Sequence, residues 1–240
     1  MKEEYSEKST VQEIKARFDQ DVERFSSLDT AQQTVIDAQY CLEIITDAVR
    51  HVTPKAKSLL DIGCGAGNYS LKMLQKIPDL NCTLIDLSLP MLQKAQERIS
   101  QETTGSVQIR QADIREVELP ENEFCIAFAG AVLHHLRAES EWESVFDKIY
   151  RSLKPGASFW ICDLVSHDEP GIQQLFENNY ANFLTGLGGA DYKDHVMAYI
   201  KREDTPRSVF YQLELMKKVG FRQVEILHKN SCFAAFGGIK

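Results

Sequence analysis

The stretch Leu59-Leu60-Asp61-Ile62-Gly63-Cys64-Gly65-Ala66-Gly67-Asn68 limits the possible folds of this chain more than any other. An apolar run leads straight into a turn rich in glycine, and a helical pattern follows. Glycine lets the backbone turn sharply there and leaves no β-carbon in the way of an approaching ligand. The same texture recurs downstream. Short apolar runs at 58–62, 82–86, 107–112, 124–129 and 158–164 alternate with helically spaced segments at 69–76, 90–102 and 139–153. Such alternation predicts an α/β fold, a Rossmann-like, doubly wound, mostly parallel sheet with helices on both faces. Two further runs, 224–227 and 232–236, flank a polar turn through Lys229-Asn230. They predict an antiparallel C-terminal hairpin at the sheet edge, making seven strands in all.

The flanks read differently. Val11, Ile14, Phe18, Val22 and Phe25 recur at helical intervals over residues 8–28, and predict one amphipathic helix. A second helix, capped by Asp29-Thr30 and carrying Val35, Ala38, Cys41, Ile44, Ile45 and Val49, runs up to Pro54. Residues 166–200 fit no strand. With Phe176, Tyr180, Phe183, Tyr192 and Tyr199 around Gly186-Leu187-Gly188-Gly189, they read as a helical lid. The expected organisation is one domain: an N-terminal helical cap (1–53), a cofactor-binding core (54–165), a lid (166–206) and a C-terminal helix with the hairpin (207–240).

Composition removes several function classes. With 27 Lys and Arg against 35 Asp and Glu, the net charge of −8 disfavours nucleic acid, which needs a basic field. No apolar run approaches the roughly 20 residues of a membrane span, and residues 1–4 begin a polar segment without a signal-peptide core, so a cytoplasmic location with no membrane partner is expected. Cys41, Cys64, Cys82, Cys125, Cys162 and Cys232 show no Cys-x-x-Cys and no histidine at ligand spacing, so neither disulfides nor a bound metal is expected. The oligomeric state stays open, a homodimer being one option.

The glycine loop departs from two phosphate-binding patterns. A dinucleotide loop wants a glycine where Asn68 stands, and a phosphate loop wants Gly-Lys-Ser/Thr, which is missing. Three acidic residues stand at strand ends instead. Asp61 can take a positively charged amine, Asp86 can grip two vicinal ribose hydroxyls, and Asp113 can accept from an exocyclic amine of adenine. In open α/β sheets ligands bind at the carboxyl ends of the strands. A ribose and an ammonium on one ligand, without a phosphate cradle, describe S-adenosylmethionine.

These residues, with Asp86-Leu87-Ser88-x-x-Met91-Leu92, Ala112-Asp113-Ile114, Leu133-His134-His135-Leu136 and Leu153-Lys154-Pro155-Gly156, resemble the class I S-adenosylmethionine-dependent methyltransferases over residues 57–164. The resemblance implies that Gly63, Cys64 and Gly65 pass under the methionine part, that Asp86 binds ribose, that Leu87 and Ile114 sandwich the adenine and that Asp113 holds its amine. It adds Met91, Ala129 and Gly130 to the cofactor set and implies a small-molecule methyl acceptor. A narrower resemblance, through Tyr40 and residues 218–225, is to carboxy-S-adenosylmethionine synthases. It makes Tyr40 a cofactor residue and offers a rival reaction; against it, Asp194 stands where those enzymes carry an arginine. A non-catalytic cofactor-binding module is the third reading.

Methyl transfer is an in-line displacement that chiefly requires positioning in a water-poor pocket. Where the acceptor must lose a proton, histidine titrates in the useful range. His134 and His135, following the fourth strand, are therefore the catalytic candidates.

Overall fold

The computed structural model describes residues 5, 7–27 and 33–240. Seven strands form one sheet: β1 (Ser58–Ile62), β2 (Asn81–Asp86), β3 (Val107–Gln111), β4 (Phe124–Gly130), β5 (Leu153–Leu164), β6 (Gln223–Asn230) and β7 (Phe233–Ile239). Their order is β3-β2-β1-β4-β5-β7-β6. The first five run parallel, and β7 slots antiparallel between β5 and the edge strand β6. The strand order therefore reverses between β1 and β4, and the crevice at their carboxyl ends is the place such a sheet offers a ligand.

Among the described residues, eight α-helices surround the sheet. They are α1 (Val11–Gln20), α2 (Val22–Ser26), α3 (Ala38–Val52), α4 (Asn68–Lys76), α5 (Leu89–Ile99), α6 (Glu139–Ser152), α7 (Pro170–Glu203) and α8 (Val209–Val219). One face of the sheet is covered by α6 and α8 through Trp142, Phe146, Ile149 and Met216. The other is covered by α3, α4 and α5 through Ile45, Val49, Met73, Leu92 and Ile99. Alternate residues of β1 serve the two faces, Leu60 and Ile62 one and Leu59 the other, as the pleat requires. A third apolar cluster ties α7 to the hairpin through Tyr180, Leu184, Val196 and Phe233.

Four expectations need correction. The single N-terminal helix is two. A capping box between Thr10 and Glu13 starts α1, and Asp21, at φ −103° and ψ 14°, breaks the run before α2. The next helix begins at Ala38, after Asp37 in a left-handed conformation, so Val35 lies outside it; the proposed Asp29-Thr30 cap lies outside the described residues. β5 begins at Leu153 rather than 158, with a register shift opposite Phe124 and Ile126 that absorbs Lys154-Pro155-Gly156. The hairpin turns at Ser231-Cys232, because β6 continues through Asn230 and Ser231 adopts a left-handed φ of 54°. The lid segment is a helical span bent at Gly189, whose φ of 83° and ψ of −176° no helix contains.

Candidate active site

Gly63 stands at φ 62°, and a β-carbon there would sit 2.0 Å from Val132 Cγ2. The loop can therefore approach the turn after β4 only as glycine. Beyond it the backbone faces open space, since a β-carbon on Gly65 would meet nothing within 4 Å. The loop is stitched to the next strand. Cys64 N donates to Ile85 O at 3.0 Å, and Gly65 N donates to Asp86 Oδ2 at 2.8 Å. Ser88 N donates to Asp86 Oδ1 at 2.8 Å, so backbone amides on both sides aim the Asp86 carboxylate. Burial raises its pKa above the usual carboxylate range, against these amides. Asp61, only 2% exposed, is pushed by burial up to about 7, although Ser70 Oγ donates to it at 2.5 Å.

All of these groups open into one cavity of about 220 Å³ beneath α1, α2 and α7. Its cofactor side is lined by Asp61, Gly63, Cys64, Gly65, Asp86, Leu87, Met91, Asp113, Ile114 and Gly130. Two expected residues are not brought to it. Ala129 is fully buried in the sheet, pairing with Ile62 and Ile161, and Tyr40 is 52% exposed with its ring edge-on to His228. Asp113 lines the cavity with its carboxylate engaged by the Arg115 side chain, Nη2 donating at 2.5 Å. Burial would raise its pKa, and Arg115 instead holds it below the usual value.

The far end of the cavity has a different make-up. His134 and His135 sit on a 3₁₀ turn, Leu133–His135, after β4. His134 Nδ1 is hydrogen-bonded to Asp163 Oδ1, and Asp163 also accepts from Leu133 N at 2.8 Å and Leu164 N at 2.8 Å. That leaves His134 Nε2 facing Asp204 Oδ1 at 3.6 Å, while His135 Nδ1 lies 3.2 Å from the same oxygen. Burial works against the charged ring of His134. The carboxylates of Asp163 and Asp204 outweigh it and raise the group to about 9.

Sequence spacing did not reveal Asp204, which ends α7 before a proline and carries no local signal. Nor did it reveal that Arg17, Phe18, Arg24 and Phe25, readable only as two turns of an amphipathic helix, line the cavity. Arg17 is held by Glu203 in a two-pronged pair, Nε to Oε1 at 3.0 Å and Nη2 to Oε2 at 2.5 Å. One juxtaposition has no counterpart in ligand spacing along the chain. His134, His135 and Asp204 bring three ligand atoms within 4.8 Å of one another, because the chain returns to the turn from a remote segment. Asp194, by contrast, points to solvent with its side chain 70% exposed.

Comparison with known proteins agrees with this geometry. Residues 59–156 match the family model described as a methyltransferase domain. A demethylmenaquinone methyltransferase of Listeria monocytogenes serotype 4a (strain HCC23) is 26% identical over 191 residues, 78% of this chain and 79% of that protein. A carboxy-S-adenosyl-L-methionine synthase of Geobacter metallireducens is 24% identical over 185 residues, 75% of each chain. Human N-acetylserotonin methyltransferase, solved in complex with S-adenosylmethionine, shares the fold at a TM-score of 0.60 and 17% identity, over 94% of this chain and 56% of that one. An O-methyltransferase family protein from Burkholderia thailandensis does so at 0.64 and 15% identity, covering 94% and 62%. The matched segment runs from the glycine loop through the turn that carries the histidines, and together these likenesses support a class I S-adenosylmethionine-dependent methyltransferase.

Proposed function

We propose that this enzyme transfers the methyl group of S-adenosylmethionine to a small, largely apolar aromatic acceptor bearing an ionisable hydroxyl. The observation that carries the reading is the two-sided cavity. Beyond the glycine loop its walls are Phe18, Phe25, Val35, Leu164, Tyr180, Tyr199, Ile200 and Phe233, and the polar group of the acceptor meets His134, His135 and Asp204. The Listeria relative, a demethylmenaquinone methyltransferase, is named for a largely apolar ring compound, which fits the apolar part of this reading.

Bound S-adenosylmethionine supplies an electrophilic methyl group on a sulfonium. The residues of the chain do the rest. Asp86, aimed by two backbone amides, takes the ribose hydroxyls, and Asp61, a buried carboxylate short of a counter-charge, takes the ammonium. Leu87, Met91 and Ile114 hold the adenine, with Asp113 and its Arg115 at the rim. The aromatic walls exclude water from the acceptor chamber, which keeps the reacting atoms aligned. His134 is oriented by Asp163. His135 Nδ1, buried and without a hydrogen-bond partner, is placed to receive the acceptor's proton.

The rival, a synthase of carboxylated S-adenosylmethionine, draws on one observation: Arg17 and Arg24 reach the cavity, where an additional carboxylate would need a cation. Arg17 is already committed to Glu203, which weighs against it. Mass spectrometry of ligand released from freshly purified protein, with a panel of phenolic and quinol acceptors assayed for S-adenosylhomocysteine formation, tests both. The expected result is unmodified cofactor and acceptor-dependent turnover. A donor heavier by one carboxyl group, with no turnover on the panel, would establish the rival.

A further inference from the structure

We propose that His134 Nε2, His135 Nδ1 and Asp204 form a binding site for a single divalent transition metal ion of the zinc class, open toward the acceptor chamber. The proposal deepens the methyltransferase reading: with the ion bound, His135 Nδ1 is a ligand rather than the proton acceptor of the metal-free enzyme, and the acceptor's oxygen takes the open position and loses its proton to solvent.

Ligand type is the first ground. Two imidazole nitrogens and one carboxylate oxygen make the donor set of sites that keep a position free for water or substrate. Spacing is the second. Ligand atoms around a tetrahedral ion with bonds near 2.0–2.2 Å lie about 3.3–3.6 Å apart, and the two imidazole-to-carboxylate separations here are 3.2 and 3.6 Å. The three atoms are all within 4.8 Å of one another, so small side-chain rotations close the set.

Three further features indicate a prepared site rather than a chance encounter. His134 gives its other nitrogen to Asp163, which itself is fixed by backbone amides; a carboxylate behind a ligating histidine sets the tautomer and direction of the ring. Thr205 N donates to His134 O at 2.6 Å, so the backbone carrying Asp204 is tied to the backbone carrying the histidines. Finally, Asp204 is 6% exposed, and its Oδ1 and His135 Nδ1, 3.2 Å apart, make no well-aligned hydrogen bond to each other or to any other group. Buried polar atoms are almost always satisfied, and a cation between these two satisfies both. Two buried carboxylates, Asp163 and Asp204, stand beside the two rings; of the nearby cations Arg17 is paired with Glu203, and the Lys8 ammonium donates to the Asp204 main-chain oxygen at 2.5 Å.

The test is titration of Co²⁺ into full-length protein freed of metal by chelator, followed by visible absorption and calorimetry. S-adenosylhomocysteine affinity is measured on the same samples. A single equivalent should bind and give ligand-field bands of nitrogen and oxygen ligation. Asp204→Asn and His135→Gln should each lose those bands while keeping S-adenosylhomocysteine affinity, and Asp163→Asn should weaken Co²⁺ about 10–100-fold. No stoichiometric uptake by the wild-type protein would overturn the proposal. So would a thiolate charge-transfer band, which would place the ion on Cys64 or Cys162, or Co²⁺ affinity unchanged in both ligand variants. The wild-type spectrum decides the matter even if a variant fails to fold. Retained S-adenosylhomocysteine binding without Co²⁺ uptake refutes only the metal site, whereas absence of both counts against the methyltransferase reading.

Discussion

The two halves of the cavity are built on opposite plans. The half proposed for the cofactor comes from one continuous stretch, the tips of β1, β2 and β4 and the loops after them, and is held mostly by backbone, Cys64 N on Ile85 O and Ala112 N on Asp86 O, with the Asp86 carboxylate as the side-chain tie between Gly65 N and Ser88 N. The acceptor half is assembled from α1, α2, the 3₁₀ turn and the end of α7, and is held mostly by side chains: Arg17 on Glu203, His134 on Asp163, and the Lys8 ammonium on Lys201 O at 2.8 Å. Backbone bonds within a sheet persist when a side chain changes. Side-chain pairs between remote segments do not. The first half should therefore tolerate substitution everywhere except at the ligand contacts, and the second should lose geometry when any tie is cut.

The largest effect is expected in the backbone-held half. On the proposed role of Asp86, Asp86→Ala would remove a paired, charge-assisted contact to ribose worth about 3 kcal/mol. Calorimetry should show S-adenosylhomocysteine affinity falling by roughly a hundredfold, with a lower melting temperature because Gly65 N and Ser88 N lose their acceptor; wild-type affinity in the folded variant would refute the role.

Cutting a tie in the other half should separate the two functions. Arg17→Met strands the buried Glu203 and loosens α1 at the end of α7, where Lys8 on Lys201 O and Ser9 N on Arg202 O remain. Acceptor kcat/KM should fall by about tenfold through lost positioning, with S-adenosylhomocysteine affinity within about twofold of wild type. Equal losses in both would mean that the halves are one unit, and the comparison would fail.

Asp61 gives the comparison a pH signature. Its pKa in the free protein, about 7, lies above the unfolded value of 3.8, so the folded form binds the extra proton. Raising the pH through that window therefore costs stability. A ligand ammonium needs the carboxylate, so binding expels the proton. S-adenosylhomocysteine affinity should climb by up to tenfold per pH unit toward pH 7 and level off above it. Asp61→Asn should flatten this slope. A wild-type profile flat from pH 5 to 8, in buffers without titrating competitors, would show that Asp61 does not meet the ammonium.

The smallest effect is expected at Tyr40, exposed against His228 and outside the cavity. Tyr40→Phe should change S-adenosylhomocysteine affinity by less than about twofold, as surface substitutions generally do. A tenfold loss would require a different closed arrangement of α3 over the cofactor.

The contrast between the halves also separates what was legible in the sequence from what was not. Strand period, helical period and the glycine turn are local properties, each set within a few residues by sterics and burial, so the sheet and the loop from Leu59 to Gly67 could be read from the chain alone. Their errors were local too: Asp21 breaking a helix, Ser231 making a turn two residues late. The acidic strand tips were legible because topology places every parallel strand end on the same edge, whatever the details of packing. Asp204 and Arg17 were not. Each carries a role only because α7 returns over the sheet and α1 packs on its end, and no spacing in the chain encodes that encounter. It is decided by which apolar faces bury one another, Tyr180 and Val196 against Phe233, and the charged groups meet where that packing leaves them. The sequence determined the glycine loop and the acidic strand tips; tertiary packing alone brought two histidines and a remote aspartate to a common point at the far end of the cavity.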